Sequence, residues 1–346
     1  MKSFLPFLWL AAACGGMNDA TPQAIPGQPV PPPSAVDATP ASTTTVTYAI
    51  SGLWLGDVTP NDPSDETNTA WRSFGYDLDQ RTTTKDSVGV CTLGDGVTKL
   101  NQADGDFGID NNWGSLILPI LETAADLPSI SLTMSDAIAK GAPTIEIEVT
   151  GLPDDPAASA VGLEAHAFGG AAVTGDPFDA SVPRPVVASS TIDGATVASG
   201  ARVSFATAYV TRGTFVGRGS GAPLVLEIPI APQPLELVVK DPIVTFERSS
   251  DPSTVSGTLA GVLDTEALVA SGRAIAPFLV PAVCTDPTDY DFIAQQIREA
   301  RDILDDGTNA SGTPCTGISI GIGFTAKRIA NPTDVVPDPK PIAPCD

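Results

Sequence analysis

The sequence predicts a mainly β protein, with an antiparallel β-sandwich or jelly-roll-like fold and two or three short helices. Two observations carry this prediction. Glycine and proline account for 32 and 33 of the 346 residues, a turn-forming content too high for a helical bundle. Several segments also alternate apolar and polar residues with a period of two, as half-buried strands do.

Alternation marks each predicted strand. Residues 318–325 read Ile-Ser-Ile-Gly-Ile-Gly-Phe-Thr, so four large apolar side chains share one face. In the strand at 145–150, Glu146 and Glu148 alternate with apolar residues and are expected on a solvated outer face. The same pattern predicts further strands at residues 129–134, 203–211, 224–230 and 235–247, the last broken by Asp241-Pro242.

Three helices are predicted, two of them from an apolar stripe at helical spacing and the short one from a capping aspartate and a closing glycine. A proline, a glycine or a capping box supplies the second signal for each helix. In chain order they are residues 113–125 (cap at Asn111 or Asn112, kink at Pro119), a short helix from Asp264 to Gly272, and residues 289–304 (capping box from Thr288 to Asp291).

The predicted folded domain spans residues 46–330, and a division into two subdomains near residue 185 is left open. Residues 14–45 are rich in proline and threonine with almost no charge, so we expect an extended, solvated tether. The tail at 331–346 is also rich in proline. Its Cys345 suggests that the tail is tied to the domain.

The first thirteen residues have the order of a secretory signal peptide: one lysine, an apolar run and three alanines. Cys14 follows directly, and this arrangement resembles the lipobox of bacterial lipoproteins, although Ala11 stands where that family prefers leucine. The resemblance implies that Cys14 becomes the lipidated N-terminus and anchors the chain in a membrane. Gly15 after the cysteine favours the outer membrane, facing the periplasm or the cell surface. An ordinary signal peptide is the alternative.

Five cysteines are an odd number for an exported protein, and lipidation of Cys14 leaves four for disulfides. Four cysteines allow three pairings. We predict the pair Cys284–Cys315, because these residues bracket the third predicted helix and the return to the last long strand. Cys91 then pairs with Cys345.

The densest acidic segment reads Asp-Gly-Asp-Phe-Gly-Ile-Asp over residues 104–110. Carboxylates alternating with glycine suit Ca²⁺, which takes roughly six to eight oxygen ligands, so Asp104, Asp106 and Asp110 are the candidate ligands. The segment lacks the glycine and glutamate of an EF-hand loop. The alternative is a turn whose side chains bond their own backbone and cap the next helix.

Composition and motifs exclude several functions. Lys and Arg number 18 against 41 Asp and Glu, and a net charge of −23 excludes nucleic acid as the main partner. The chain has one histidine, His166, which excludes a multi-histidine metal site. The sequence contains no GxSxG, HExxH or phosphate-loop motif.

Together with the lipobox, three stretches resemble a class of uncharacterised bacterial lipoproteins: residues 104–120, 138–141 and 315–327. The resemblance implies an exported lipoprotein and no particular reaction. We therefore expect a lipid-anchored structural or binding protein that is not an enzyme, with a cell-surface glycan or protein as partner. The alternatives are a carbohydrate-active hydrolase with paired carboxylates and a calcium-dependent adhesin. Trp54 and Trp71 are candidate platforms for sugar stacking.

Replacement of Cys14 by alanine is expected to abolish incorporation of labelled palmitate, because the lipid is attached to this side chain. Metabolic labelling of the wild type, Cys14→Ala and Cys345→Ala measures the effect. The Cys345→Ala control is expected to keep its label. Equal labelling of all three proteins, or a mature N-terminus at another residue, would contradict the prediction.

Overall fold

The structure, a computed structural model, describes residues 24–34, 38–39, 42–64, 67–93, 103–343 and 345. The strands in these residues join into one thirteen-stranded sheet, which confirms the mainly β prediction. Cys14 and the predicted signal peptide lie outside the described residues.

The strands vary from two to fourteen residues in length, and the longest three are neighbours. Their bounds are β1 Thr45–Trp54, β2 Thr144–Thr150, β3 Ala160–Val161, β4 Glu164–Gly170, β5 Val186–Val187, β6 Val203–Ser204, β7 Thr207–Thr211, β8 Thr214–Arg218, β9 Leu224–Ile228, β10 Leu235–Arg248, β11 Thr254–Asp264, β12 Gly317–Ile329 and β13 Val335–Val336.

The strands follow the order β13-β5-β4-β2-β1-β12-β11-β10-β8-β7-β3, with β6 beside β4 and β9 beside β10. Neighbours are antiparallel except at one edge, where β13 runs parallel to β5. The sheet curls, so that β9 packs against β2 and β4 across the core. The short strands β3 and β6 pair with β7 and β4 and draw the two ends of the sheet together. The result is sandwich-like layering around one large core.

Strand β12 is buried on both faces, which the alternating sequence did not predict. Ile318, Ile320 and Ile322 lie in the main core. On the other face a Cβ atom at Gly321 or Gly323 would collide with the backbone or ring of Phe74. The glycines therefore let the segment around Phe74 lie directly on the sheet, and this segment carries part of the site described below.

The predicted strand at 129–134 is wrong, because these residues open a helix. Ser129 is the N-cap, and its side chain accepts a hydrogen bond from the Leu132 amide. Ile130, Met134 and Ile138 are buried at helical spacing. The spacing of Ile130 and Met134 fits both a strand and a helix, and packing against β1 selects the helix.

Four α-helices occur in the described residues: α1 Leu118–Ala125, α2 Ile130–Ala139, α3 Thr265–Leu279 and α4 Asp291–Glu299. The predicted helix at 113–125 is present, but it opens with a π-helical turn at Trp113–Ile117 and Pro119 lies in the first turn of α1. Asp264 caps α3 as predicted. The predicted end at Gly272 is wrong, because Gly272 is buried inside α3 against the Tyr290 hydroxyl.

The third predicted helix is shorter than expected. Helix α4 covers nine residues, and a 3-10 turn at Pro287–Tyr290 precedes it. The expected capping box is absent, because the Thr288 amide and hydroxyl both donate to Asp286. Ile303, which pairs with Gly317 in a β-bridge, draws the chain after α4 toward the sheet.

Glu146 is buried, so its predicted position on a solvated face is wrong. Its Oε1 atom lies 3.8 Å from Nε of Arg184, which is also buried. Arg184 in turn donates to the carbonyls of Ala171 and Ala142. Burial raises the pKa of Glu146 to about 8, and the nearby guanidinium partly offsets this shift.

The N-terminal segment that composition predicts as a solvated tether contacts the domain. Residues 24–34 lie along it: the Tyr209 hydroxyl donates to the Val30 carbonyl at 2.6 Å, and Thr211 donates to the Pro31 carbonyl at 2.7 Å. These hydrogen bonds hold a proline-rich stretch that composition alone assigns to a tether. The tail is tied down as expected, through β13 and Cys345.

The four cysteines form two disulfides, as predicted, but the predicted pairing is wrong. The pairs are Cys91–Cys315 and Cys284–Cys345, with Cα atoms 5.1 and 5.5 Å apart. Parallel bridging between Thr92 and Pro314 aligns the first pair, which sequence order could not reveal. Two disulfides suggest a non-reducing, extracytoplasmic environment.

No single helix in the described part of the chain has the length and apolar composition of a membrane span. The helical stretches 113–125 and 130–139 have that length and composition only when they are taken together, and they are bent by 72° relative to each other.

Loss of the Cys91–Cys315 disulfide is expected to cost about 5 kcal/mol of unfolding free energy, because the bond closes a very long loop. Denaturation of a Cys91→Ala/Cys315→Ala variant measures this loss. The matched Cys284→Ala/Cys345→Ala variant, which opens a shorter loop, is expected to lose about 4 kcal/mol. Peptide mapping without reduction should recover these two pairs, and a Cys284–Cys315 peptide would contradict the structure.

Candidate metal centre

Two loops that are distant in sequence meet on the outer face of β12. One contains residues 75–81 and the other residues 103–112. The Asp110 amide donates to the Tyr76 carbonyl at 3.0 Å and joins them. The adjacent Asn111 is 2 % exposed, and its Nδ2 lies 2.9–3.1 Å from the carbonyls of Trp71, Phe74 and Gly321. This amide fixes both loops on the strand.

Three carboxylates converge where the loops meet. Asp77, Asp79 and Asp110 each offer an oxygen, and these three oxygens lie within 4.8 Å of one another. Asp110 is buried, whereas the other two are half-buried and face the surface. The group is therefore closed on the side of Asp110 and open to solvent on the side of Asp77 and Asp79.

Backbone amides orient the three carboxylates. Asp110 Oδ2 accepts from the amides of Leu78 and Asp79 at 2.7 and 3.4 Å. The Arg81 amide donates to Oδ1 of both Asp77 and Asp79. Oδ2 of Asp79 is buried and has no hydrogen-bond partner among the described residues. A buried, unpartnered carboxylate oxygen is costly unless a ligand completes it.

Two further acids add negative charge. Asp104 accepts a hydrogen bond from the Thr83 amide, and buried Asp302 accepts one from the Ser319 amide at 2.8 Å. Burial raises the pKa of Asp104 to about 8 and that of Asp302 to about 7, and the charge of Asp79 adds to both shifts.

The pKa of Asp110 is raised well above its ordinary value, first by burial and then by the charges of Asp79, Asp302 and Asp104. No basic side chain contributes to the shifts of Asp104, Asp110 or Asp302. The carboxylates of this cluster therefore repel one another, which favours their protonation or the binding of a cation.

The structure brings together one of the three predicted ligands and separates the others. Asp110 belongs to the three-carboxylate group, and Asp104 lies close enough to affect its pKa. Asp106 points elsewhere, with Oδ1 3.2 Å from Nε of Arg72 on the exposed surface. The glycine-spaced pattern thus identified a loop that contributes Asp110 to the three-carboxylate group, whereas Asp106 lies outside that group.

Sequence reasoning missed Asp77 and Asp79. The sequence signal for these two residues was the Asp-Leu-Asp triplet at 77–79, in which a single leucine separates two aspartates after a glycine and a tyrosine. Both supply oxygens for a hard cation, and Ca²⁺ accepts carboxylates and backbone carbonyls in flexible geometry. The centre Asp77–Asp79–Asp110 is therefore a candidate site for Ca²⁺.

A second acidic pair lies beside α1. Glu122 lines an open cleft of about 520 Å³. Its neighbour Asp57 is buried and accepts from the hydroxyls of Ser129 and Ser131. Burial raises the pKa of Glu122 to about 7, with a further contribution from Asp57.

The tryptophans proposed as sugar platforms are both half-buried. The Trp71 ring lies under the guanidinium of Arg72, 5.4 Å from the ring centroid. Trp71 also covers the backbone of Gly56 and Gly114, and its amide donates to the Gly56 carbonyl. These contacts assign Trp71 to packing beneath the acidic loop.

No family model, no curated protein and no solved structure matches this chain.

Without metal, stability is expected to fall as the pH rises from about 5 to 8. Asp104, Asp110 and Asp302 have folded-state pKa values raised above the unfolded value of about 3.9, so their protonated forms stabilise the fold. That contribution is complete below the unfolded pKa and is lost as the pH passes through the folded values, about 7 for Asp302 and about 8 for Asp104.

Melting temperatures measured against pH in a chelator test this expectation. Asp104→Asn should flatten the decline, because it removes one titrating group from the cluster. Asp106→Asn is the matched control and should leave the profile unchanged. A melting temperature that rises from pH 5 to 8 in the chelator would contradict the prediction.

Proposed function

We propose that this protein is an exported, lipid-anchored structural or binding protein of the cell envelope, with Ca²⁺ held by Asp77, Asp79 and Asp110. The proposed anchor is lipid on Cys14, and the proposed location is the outer membrane, facing the periplasm or the cell surface. The two disulfides support a location outside the cytoplasm.

One observation carries the calcium assignment: three carboxylate oxygens lie within 4.8 Å of one another at the junction of two loops. The unpartnered Asp79 oxygen supports it, because a cation would supply the missing interaction. The absence of a basic side chain among the groups that shift these acids supports it further.

Calcium at this centre would act on the fold and on the surface together. The ion would tie the 75–81 loop to the 103–112 loop, and both loops lie on the strand β12. Because two of the three ligands are half-buried, the ion would keep a side open to an external oxygen ligand. This geometry favours a calcium-dependent binding surface, the adhesin type among the alternatives.

Ca²⁺ is expected to raise the melting temperature of the full-length exported protein in detergent, and a chelator should reverse the change. A ligand that binds only the folded state adds about 2.7 kcal/mol of stability at about 100 times its Kd. Asp79→Asn should abolish the response, since it removes a ligand charge while keeping the side-chain shape.

Asp106→Asn is the matched control, because Asp106 is an exposed aspartate in the same loop and pairs with Arg72. It should respond to Ca²⁺ like the wild type. Identical melting curves with and without chelator would refute the calcium site. Loss of the response in Asp106→Asn, with retention in Asp79→Asn, would instead move the site back to the ligands expected from sequence.

A further inference from the structure

Three large apolar side chains are exposed around the acidic centre. The exposed fraction is 65 % for Ile25, 70 % for Phe107 and 91 % for Val88. Phe107 lies at the tip of the 103–112 loop, between Asp106 and the buried Gly108. None of these three side chains is buried in the hydrophobic core.

The backbone actively presents Phe107 to solvent. Its φ of +58° is in the left-handed region, where a phenylalanine is uncommon and costs conformational energy. The following residue, Gly108, lies against the Arg81 carbonyl and the carboxyl carbon of Asp77. The turn therefore presses its glycine onto the acidic centre and directs the aromatic ring outward.

Ile25 and Val88 belong to the same neighbourhood. Gly27, in the turn that starts at Ile25, packs against the backbone of Phe107, and its carbonyl accepts from the Asp77 amide at 2.8 Å. Val88 precedes Gly89, whose carbonyl accepts from the Arg81 guanidinium at 2.7 Å. Three segments thus surround the carboxylates and expose an apolar residue each.

The lipid anchor proposed above would hold this face close to a membrane. Residue 24 begins the described chain beside Ile25, and Cys14 lies ten residues earlier in sequence. Ten extended residues span at most about 35 Å, so lipid on Cys14 would keep this face near the bilayer. A chain of net charge −23 is repelled by anionic headgroups unless a cation intervenes.

We propose that Ile25, Val88 and Phe107 form a membrane-docking face, on which Ca²⁺ at the centre Asp77–Asp79–Asp110 bridges to phosphate groups of the bilayer that holds the lipid anchor. This inference rests on the calcium binding proposed above. The open side of the ion would accept a phosphate oxygen, and the apolar side chains would enter the interface beside it.

The test uses the chain from residue 15 onward, exported behind a cleavable signal peptide, so that neither lipid on Cys14 nor an uncleaved apolar leader accounts for binding. The probe is a vesicle of phosphatidylglycerol and phosphatidylethanolamine. We expect the protein to sediment with the vesicles in Ca²⁺ and to stay in solution in a chelator. Phe107→Asn should weaken vesicle binding by roughly tenfold or more, since the ring supplies much of the buried apolar area.

The matched control is Phe292→Asn on α4, because Phe292 is also 70 % exposed. It should bind vesicles like its parent protein. Asparagine tolerates the left-handed backbone at position 107, and an unchanged calcium-induced rise in melting temperature would show that Phe107→Asn keeps its fold and its ion.

Each outcome separates the docking face from the calcium site. A calcium-induced rise in melting temperature without vesicle binding would overturn the docking face and leave the proposed function intact. Equal losses in Phe107→Asn and Phe292→Asn would also overturn it, as would vesicle binding that persists in chelator. Calcium-dependent binding to a glycan or a protein, with none to vesicles, would assign the face to another partner. Absence of any calcium effect would refute both proposals.

Discussion

The buried amide of Asn111 is the interaction on which the outer face of the sheet depends. Its nitrogen contacts three carbonyls, two in the segment at 71–74 and one in β12, and its oxygen accepts from the amides of Gly114 and Gly321. One side chain therefore caps the helical stretch after it, holds the segment at 71–74 and attaches both to β12. No apolar residue of the same size could replace it without leaving several buried backbone groups unpaired.

The packing around Asn111 is electrostatically unfavourable, because it gathers several carboxylates in a partly buried place. Asn111 positions the preceding Asp110 inside the protein, and the folds of the two loops bring Asp77, Asp79 and Asp104 to it. Charges of one sign in a partly dry environment oppose folding unless they are neutralised. The buried pair Glu146–Arg184 places a guanidinium 3.8 Å from the acid, and this guanidinium offsets only part of the rise in the pKa of Glu146. At the loop junction the largest charge contributions to the pKa shifts of Asp104 and Asp110 come from other carboxylates, so repulsion among them adds to the effect of burial.

The sequence predicted β10 and β12, whose alternation is local and extends over many residues, as at 318–325, but it predicted neither β1 nor β11. It failed at 129–134, where a short apolar spacing fits two periods and only packing against β1 decides between them. Glu146 was misplaced because its partner Arg184 lies 38 positions away and on a different segment. Only part of the candidate site could be predicted. The glycine-spaced loop marked Asp110, whereas Asp77 lies in a distant segment and approaches Asp110 only through tertiary contacts.

The two disulfides interlock: each bond joins cysteines that are separated in sequence by one member of the other pair. A chain that enters an oxidising compartment N-terminus first exposes Cys91 and then Cys284, which are not partners. Oxidation in order of arrival would join these two and leave Cys315 with Cys345. Correct maturation therefore requires either that oxidation waits until nearly the whole chain has crossed, or that an isomerase rearranges the first bond. In an oxidising compartment, correct pairing therefore depends on the timing of oxidation or on disulfide exchange.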